Sequence, residues 1–226
     1  YERRADNDCR WEYDNFEWHM EYRMSTLELK ELSHPSGEVI KIAAGKTLDL
    51  KSQGTTTLPT GSVIQVANLV IDTETASAAT TFVAAGGTDI SFSALASTSS
   101  KVLVKYSIVI SSQKGSNTGV KLYRSIGGAA FAEVTGPTST RGTGNAYNVW
   151  LTNGYNPDNT HEDFTIETFS GEYLDSPNTT SSVTYKLYFR SRGSATSYIG
   201  RATNHYQNDN QSPRSTSSAT LMEIQG

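Results

Sequence analysis

Residues 101–111 read KVLVKYSIVIS, with an apolar side chain at every second position. Val102, Val104, Tyr106, Ile108 and Ile110 share one face, and Leu103, Lys105, Ser107, Val109 and Ser111 share the other. A period of two marks a β-strand with one face toward a core. SVTYKLYFR repeats it, with Val183, Tyr185, Leu187 and Phe189 opposed to Thr184, Lys186, Tyr188 and Arg190. The same rhythm between Gly-, Ser- and Asn-rich turns predicts strands at Ser62–Ile71, Thr80–Ala84, Asp89–Ala94, Lys101–Ser111, Gly119–Arg124 and Ala129–Val134. It continues at Val149–Leu151, Phe164–Leu174, Ser182–Arg190, Ser197–Arg201 and Ala219–Gln225. The expected fold is all-β: an antiparallel jelly-roll sandwich over residues 61–226. The second faces of these strands are not fully polar, so part of that surface is expected to pack on neighbouring subunits.

Upstream the pattern changes. Residues 35–60 hold short alternating pieces (Ile40 and Ile42, Leu48 and Leu50) between turn signals such as Ala44-Gly45-Lys46 and Gln53-Gly54. Each piece is too short to bury its apolar face alone, so a short trimeric β stem is expected here. Residues 1–34 form a leader of unknown role. In it Phe16, Trp18, Met20, Tyr22 and Met24 alternate as in a strand, while Tyr13, Phe16, Met20, Met24 and Leu27 also fit one helical face. Met24-Ser25-Thr26 looks like a natural start, which leaves upstream sequence, a cloning remnant and an anchoring segment all open for the leader.

Composition sharpens the division. Of 226 residues, 28 are Ser and 28 are Thr, and none of them precedes Ser25. Residues 1–24 carry seven acidic residues against four arginines, so most of the formal charge of −4 belongs to the leader. The remaining chain has no basic excess of the kind a general nucleic-acid binder carries. Six prolines without a Gly-X-Y period exclude collagen, and no heptad survives the Ser, Thr and Gly content. No stretch is apolar enough to cross a bilayer and no signal peptide is visible, so no membrane insertion is expected. The single Cys9 makes neither an internal disulfide nor a Cys zinc site.

The phrases LPTGSVIQV (Leu58–Val66), ISFSALASTSSKVLVKYSIVIS (Ile90–Ser111), EYLDSPNTTSSVTYKLYFRS (Glu172–Ser191) and STSSATLMEIQG (Ser215–Gly226) stand in one order. In order and spacing the chain from residue 37 onward resembles C-terminal domains of bacteriophage tail fibres, particularly of marine and cyanobacterial phages. The strand plan is also similar to the wider C1q/TNF-like trimeric jelly rolls. The first resemblance implies a homotrimer at a fibre end, located in the virion and recognising a host surface glycan or protein. The leader and the lack of a long shaft depart from that pattern. They leave room for attachment to other virion proteins through the N-terminal segment, and for a capsid-attached head fibre or decoration protein.

Other chemistry is weakly signalled. Ala44-Gly45-Lys46-Thr47 lacks the upstream glycine of a P-loop, because position 40 is Ile, and reads as a turn. No pair among His19, His34, His161 and His205 has metal-ligand spacing, so no cofactor or metal is expected. Asp158, Glu162 and Asp163 around His161 lack the order of a calcium loop. A polysaccharide depolymerase would need a carboxylate pair, for which Asp163, Glu167 and Glu172 are the candidates. Glu167 reads as an exposed strand position, and no enzymatic activity is expected.

The loops say more. Ser112–Thr118, Gly136–Asn148, Asn153–Thr160 and Thr203–Ser217 concentrate Asn, Tyr, Ser, Gly and Gln. Tyrosine supplies a stiff apolar face with a polar tip, and amides pair with hydroxyls, a chemistry suited to saccharides. Tyr147, Trp150, Tyr155, His205, Tyr206 and Asn208 are the candidate receptor-binding residues.

Overall fold

The computed structural model describes residues 44–45, 58–113, 115–139, 148–153, 166–193, 195–203 and 214–226. The chain divides into two units, Tyr1–Thr55 and Thr56–Gly226. The leader, and the stem apart from Ala44, Gly45 and Leu58–Thr60, lie outside the described residues. Ala44-Gly45 is a turn with Gly45 at φ 74°, as its sequence predicts.

Twelve strands and no helix are found among the described residues of the second unit. In chain order they are β1 (Val63–Ile71), β2 (Thr75–Ser77), β3 (Val83–Ala84), β4 (Ile90–Phe92), β5 (Lys101–Ser112) and β6 (Thr118–Ile126). They continue with β7 (Ala132–Glu133), β8 (Leu151–Thr152), β9 (Glu167–Asp175), β10 (Val183–Ser191), β11 (Ser197–Ile199) and β12 (Ser217–Ile224). Every pairing is antiparallel, in two six-stranded sheets. The first sheet runs β1-β12-β5-β11-β2, with β9 on the other side of β5. The second runs β3-β10-β6-β7, with β4 also on β10 and β8 also on β6. The predicted all-β sandwich is therefore present.

The core lies where the alternation put it. Val102, Val104, Tyr106, Ile108 and Ile110 of β5 and Val183, Tyr185, Leu187 and Phe189 of β10 are all fully buried, facing each other between the sheets. β2 is the strand the pattern misses, because Thr75, Ala76 and Ser77 show no apolar alternation and are held by pairing with β11. β5 is long enough to serve two partners along one edge, β12 up to Ser107 and β11 from Ile110. Across the gap the Val109 N–H donates to Ser217 Oγ (2.9 Å), and the Gly200 N–H donates to the Val109 carbonyl (2.9 Å). Gly200 sits at φ 86° with Thr73 O 3.2 Å from where a Cβ would stand, so glycine suits this joint on both counts.

Candidate functional site

Register brings the anchors of three predicted binding loops to one corner of the sandwich. Ser191 pairs with Thr118 and Ser197 with Ser112. Asn153 ties them together: its Oδ1 accepts the Thr118 N–H (2.6 Å) and its Nδ2 donates to Ser112 Oγ (2.9 Å). Ser116 and Ser191 hydroxyls meet at 2.7 Å, and Ser116 Oγ donates to the Arg192 carbonyl (2.9 Å). Ser111 Oγ reaches the Arg201 carbonyl (2.8 Å), where the loop between β11 and β12 departs. Ser111, Ser112, Ser116, Thr118, Asn153 and Ser191 are all buried. The serine excess thus does structural work here, because small hydroxyls satisfy the backbone where strands end and loops leave.

Of the six candidate binding residues, Trp150 is described, and Tyr147, Tyr155, His205, Tyr206 and Asn208 lie outside the described residues. Trp150 is half-buried and packed against the core. Its ring meets Tyr106 edge-on at 6.2 Å and 89°. It lies over Gly171, where an added Cβ would come within 2.7 Å of the indole. Gly171 is opposite Tyr106 in the β5–β9 register, so the missing side chain makes the space the indole fills.

A second surface, on the outer face of the second sheet, carries the most concentrated chemistry among the described side chains. Lys186, Tyr188 and Arg190 of β10 alternate outward, opposite Tyr123, Lys121 and Gly119 of β6. Tyr123 and Tyr188 stack at 3.9 Å and 24°, and Phe131 flanks Tyr188 at 6.3 Å. Lys186 Nζ lies 5.0 Å from the Phe131 ring centre, while Lys121 Nζ and the Arg190 guanidinium lie 4.8 and 5.6 Å from that of Phe82. Asp89 pairs with Lys186 (2.7 Å) and Glu133 with Lys121 (2.8 Å). All four rings are partly exposed. Burial, then the charge of Glu133 and the neighbouring Tyr188, raise the Tyr123 pKa and keep its phenol protonated. Sequence reading placed Lys186, Tyr188 and Arg190 on the face opposite the core and gave them no chemistry of their own. A tyrosine between two cations on one face was the available signal.

Two buried tyrosines cross the space between the sheets. Tyr106 OH donates to the Thr88 carbonyl (2.8 Å). Tyr185 OH donates to Asp175 Oδ2 (2.7 Å), which also accepts from Arg124 Nη1. Burial raises both phenols well above the usual tyrosine range, reinforced for Tyr106 by the charge of Asp89. For Tyr185 the charge of Asp175 and the bond to it add to the rise, against Arg124. Above pH about 10 the unfolded chain releases these protons while the folded chain keeps them. Stability is thus expected to be unaffected by these groups at lower pH. Above that point it should fall by up to about 1.4 kcal/mol per pH unit for each tyrosine. Urea midpoints across the alkaline range check this, and Tyr106→Phe and Tyr185→Phe should each flatten the slope.

For hydrolysis and metal binding the described residues offer little. No group of three His, Cys, Asp or Glu among them could hold a metal ion. His161, His205 and Asp163 lie outside the described residues. Glu167 and Glu172 are an odd number of positions apart on β9, which directs them to opposite faces of the sheet. Glu167 is exposed, as its sequence position predicts.

The outer face of the first sheet differs from that of the second. Register places Val66, Met222, Leu103 and Leu174 side by side across β1, β12, β5 and β9. Val66 is 57% exposed and Leu174 45%, so this row is an apolar stripe open to solvent. Beside it runs a polar row, Asn68, Thr220, Lys105 and Glu172.

No protein-family model matches this chain, and no curated protein matches it. Among solved structures it is similar to that of infectious bursal disease virus, Gx strain, at 11% identity and a TM-score of 0.34. That match covers 79% of this chain and 41% of the other. It is also similar to the VP2 subviral particle of infectious bursal disease virus, at 12% identity and a TM-score of 0.29, covering 80% and 42%. The chain spans about two fifths of the length of these viral proteins. A likeness this loose assigns no role, and the fold rests on the strands and registers themselves.

Proposed function

We propose that this chain is a virion structural protein, a homotrimeric fibre tip of the bacteriophage type that binds a host surface receptor without enzymatic chemistry. The observation that carries the oligomer is the apolar row Val66–Met222–Leu103–Leu174. A lone protomer would leave that row in water, and burial between copies removes it. The hydrogen-bonded corner supports the receptor reading, since binding loops need a rigid scaffold, and the sequence that follows its Asn153 and Arg201 holds Tyr155, His205, Tyr206 and Asn208. Threefold display compensates for weak single sites through avidity. The N-terminal segment is the part left to dock onto other virion proteins.

Leu103→Glu places a charge in the middle of the apolar row while leaving the core face of β5 untouched. Light scattering on the eluting protein is expected to report a trimer for the wild type and a monomer for the variant, each with the far-ultraviolet signature of a β protein. An unchanged mass for Leu103→Glu would reject this face as the interface.

A further inference from the structure

We propose that copies of this chain join edge to edge, with β1 of one copy pairing as an antiparallel strand with β9 of the next. This contact rests on the trimer reading and names the strands that build it. A strand at the border of a sheet leaves a row of backbone N–H and C=O groups without a sheet partner, and proteins blunt such borders by keeping them short. Five border strands here are short: β2, β3, β4, β7 and β8 have two or three residues each. β1 and β9 have nine. They bound the first sheet on opposite sides, and among the described residues β1 pairs only with β12 and β9 only with β5. The register shift in β1 falls at its start, between Val63 and Gln65, and the rest of the strand is regular. Neither strand contains proline or lysine, and β1 has no charged residue at all. Of the five large apolar side chains left exposed among the described residues, Val63, Val66 and Val70 lie on β1 and Leu174 on β9.

Direction decides the partner. Three antiparallel pairings separate the two borders (β1 with β12, β12 with β5, β5 with β9), so β1 and β9 run in opposite senses. Copies related by rotation about an axis along the strands can set β9 of one beside β1 of the next and continue the antiparallel sheet. Each copy offers one border of each kind, so the contact is heterologous and closes as a ring. A β1–β1 or β9–β9 contact would be isologous, end at two copies and leave the other border open. In the β9–β9 case two exposed Glu172 side chains would also share one small surface, a like-charge arrangement that destabilises sheet pairing. The ring turns the outer faces of the three first sheets toward the axis, and with them the rows Val66–Met222–Leu103–Leu174.

The test uses the full chain. Val70 and Ser170 are both exposed and stand at the two ends of one cross-strand row, Val70–Ser218–Ser107–Ser170, apart from the apolar row. Val70→Lys blunts β1 and Ser170→Lys blunts β9, with thermal melts showing that each variant folds. Native mass spectrometry is expected to give each variant alone as a monomer. Mixed, they should give a complex of two, because the first keeps its β9 border and the second its β1 border. Hydrogen exchange should find nearly every amide of β1 and β9 protected in the wild-type trimer, those directed away from β12 and β5 included. A wild-type trimer in which those outward amides exchange as unprotected groups overturns edge pairing and leaves the trimer standing. Trimers from both lysine variants, or no complex on mixing, overturn it as well. A monomeric wild type removes the trimer itself, and edge pairing with it.

Discussion

Asp175→Ala is expected to cost about 3–5 kcal/mol, the range for removing one partner of a buried ion pair. Asp175 is 5% exposed and sits at the end of β9 in the first sheet, while Arg124 and Tyr185 belong to β6 and β10 of the second. Its Oδ2 accepts from both, so one carboxylate links the sheets at that end of the sandwich. Truncation leaves a guanidinium, 24% exposed, beside a phenol that has lost its acceptor. Nothing else described within the sandwich replaces that charge. Tyr185→Phe removes only one neutral donor and should cost about 0.5–2 kcal/mol. Urea unfolding monitored by tryptophan fluorescence orders the two variants. Equal losses for Asp175→Ala and Tyr185→Phe would show that Arg124 contributes nothing to the pair.

Glu223→Ala should follow closely, at about 2–4 kcal/mol for a buried carboxylate with two donors left unmet. Glu223 is fully buried on β12. Its Oε2 accepts from Gln65 Nε2 (2.6 Å) and its Oε1 from the Ala96 N–H (2.7 Å). Gln65 Nε2 also donates to the Ala94 carbonyl (2.8 Å), so the pair pins the segment after β4 against β1 and β12. Glu223→Gln is the informative companion. Its amide oxygen still accepts from Ala96, but its NH₂ then faces the NH₂ of Gln65. Turning Gln65 over to accept would sacrifice its bond to Ala94. The glutamine variant is therefore expected to lose roughly one hydrogen bond, about 1–2 kcal/mol, and hydrogen exchange should rise first at Leu95 and Ala96.

These two networks also mark what the sequence could and could not reveal. β5 and β10 were legible because alternation over nine or more residues leaves one register that buries every apolar side chain. The inward Glu223 follows the same parity as Leu221 and Ala219, yet nothing near it in sequence announces a partner 158 positions away. Arg124 and Asp175 are likewise 51 positions apart and meet only because β6 and β9 face each other across the core. The apolar row of the first sheet was half visible, as second faces that were not fully polar. That Val66, Met222, Leu103 and Leu174 fall in line depends on three registers that single-strand patterns do not fix. The aromatic face of the second sheet was hidden for the same reason, since Phe82, Tyr123, Phe131 and Tyr188 come from four separate segments. Trp150, in the predicted strand Val149–Leu151, looked like a residue free to bind a receptor because Gly171, which makes room for its ring, lies 21 positions further on in another strand.

The central claim is that the sandwich is one third of a virion fibre tip. Native mass spectrometry of the full wild-type chain tests it most directly. The account predicts a complex of three copies that persists as concentration is lowered into the micromolar range, and a monomer throughout would contradict it.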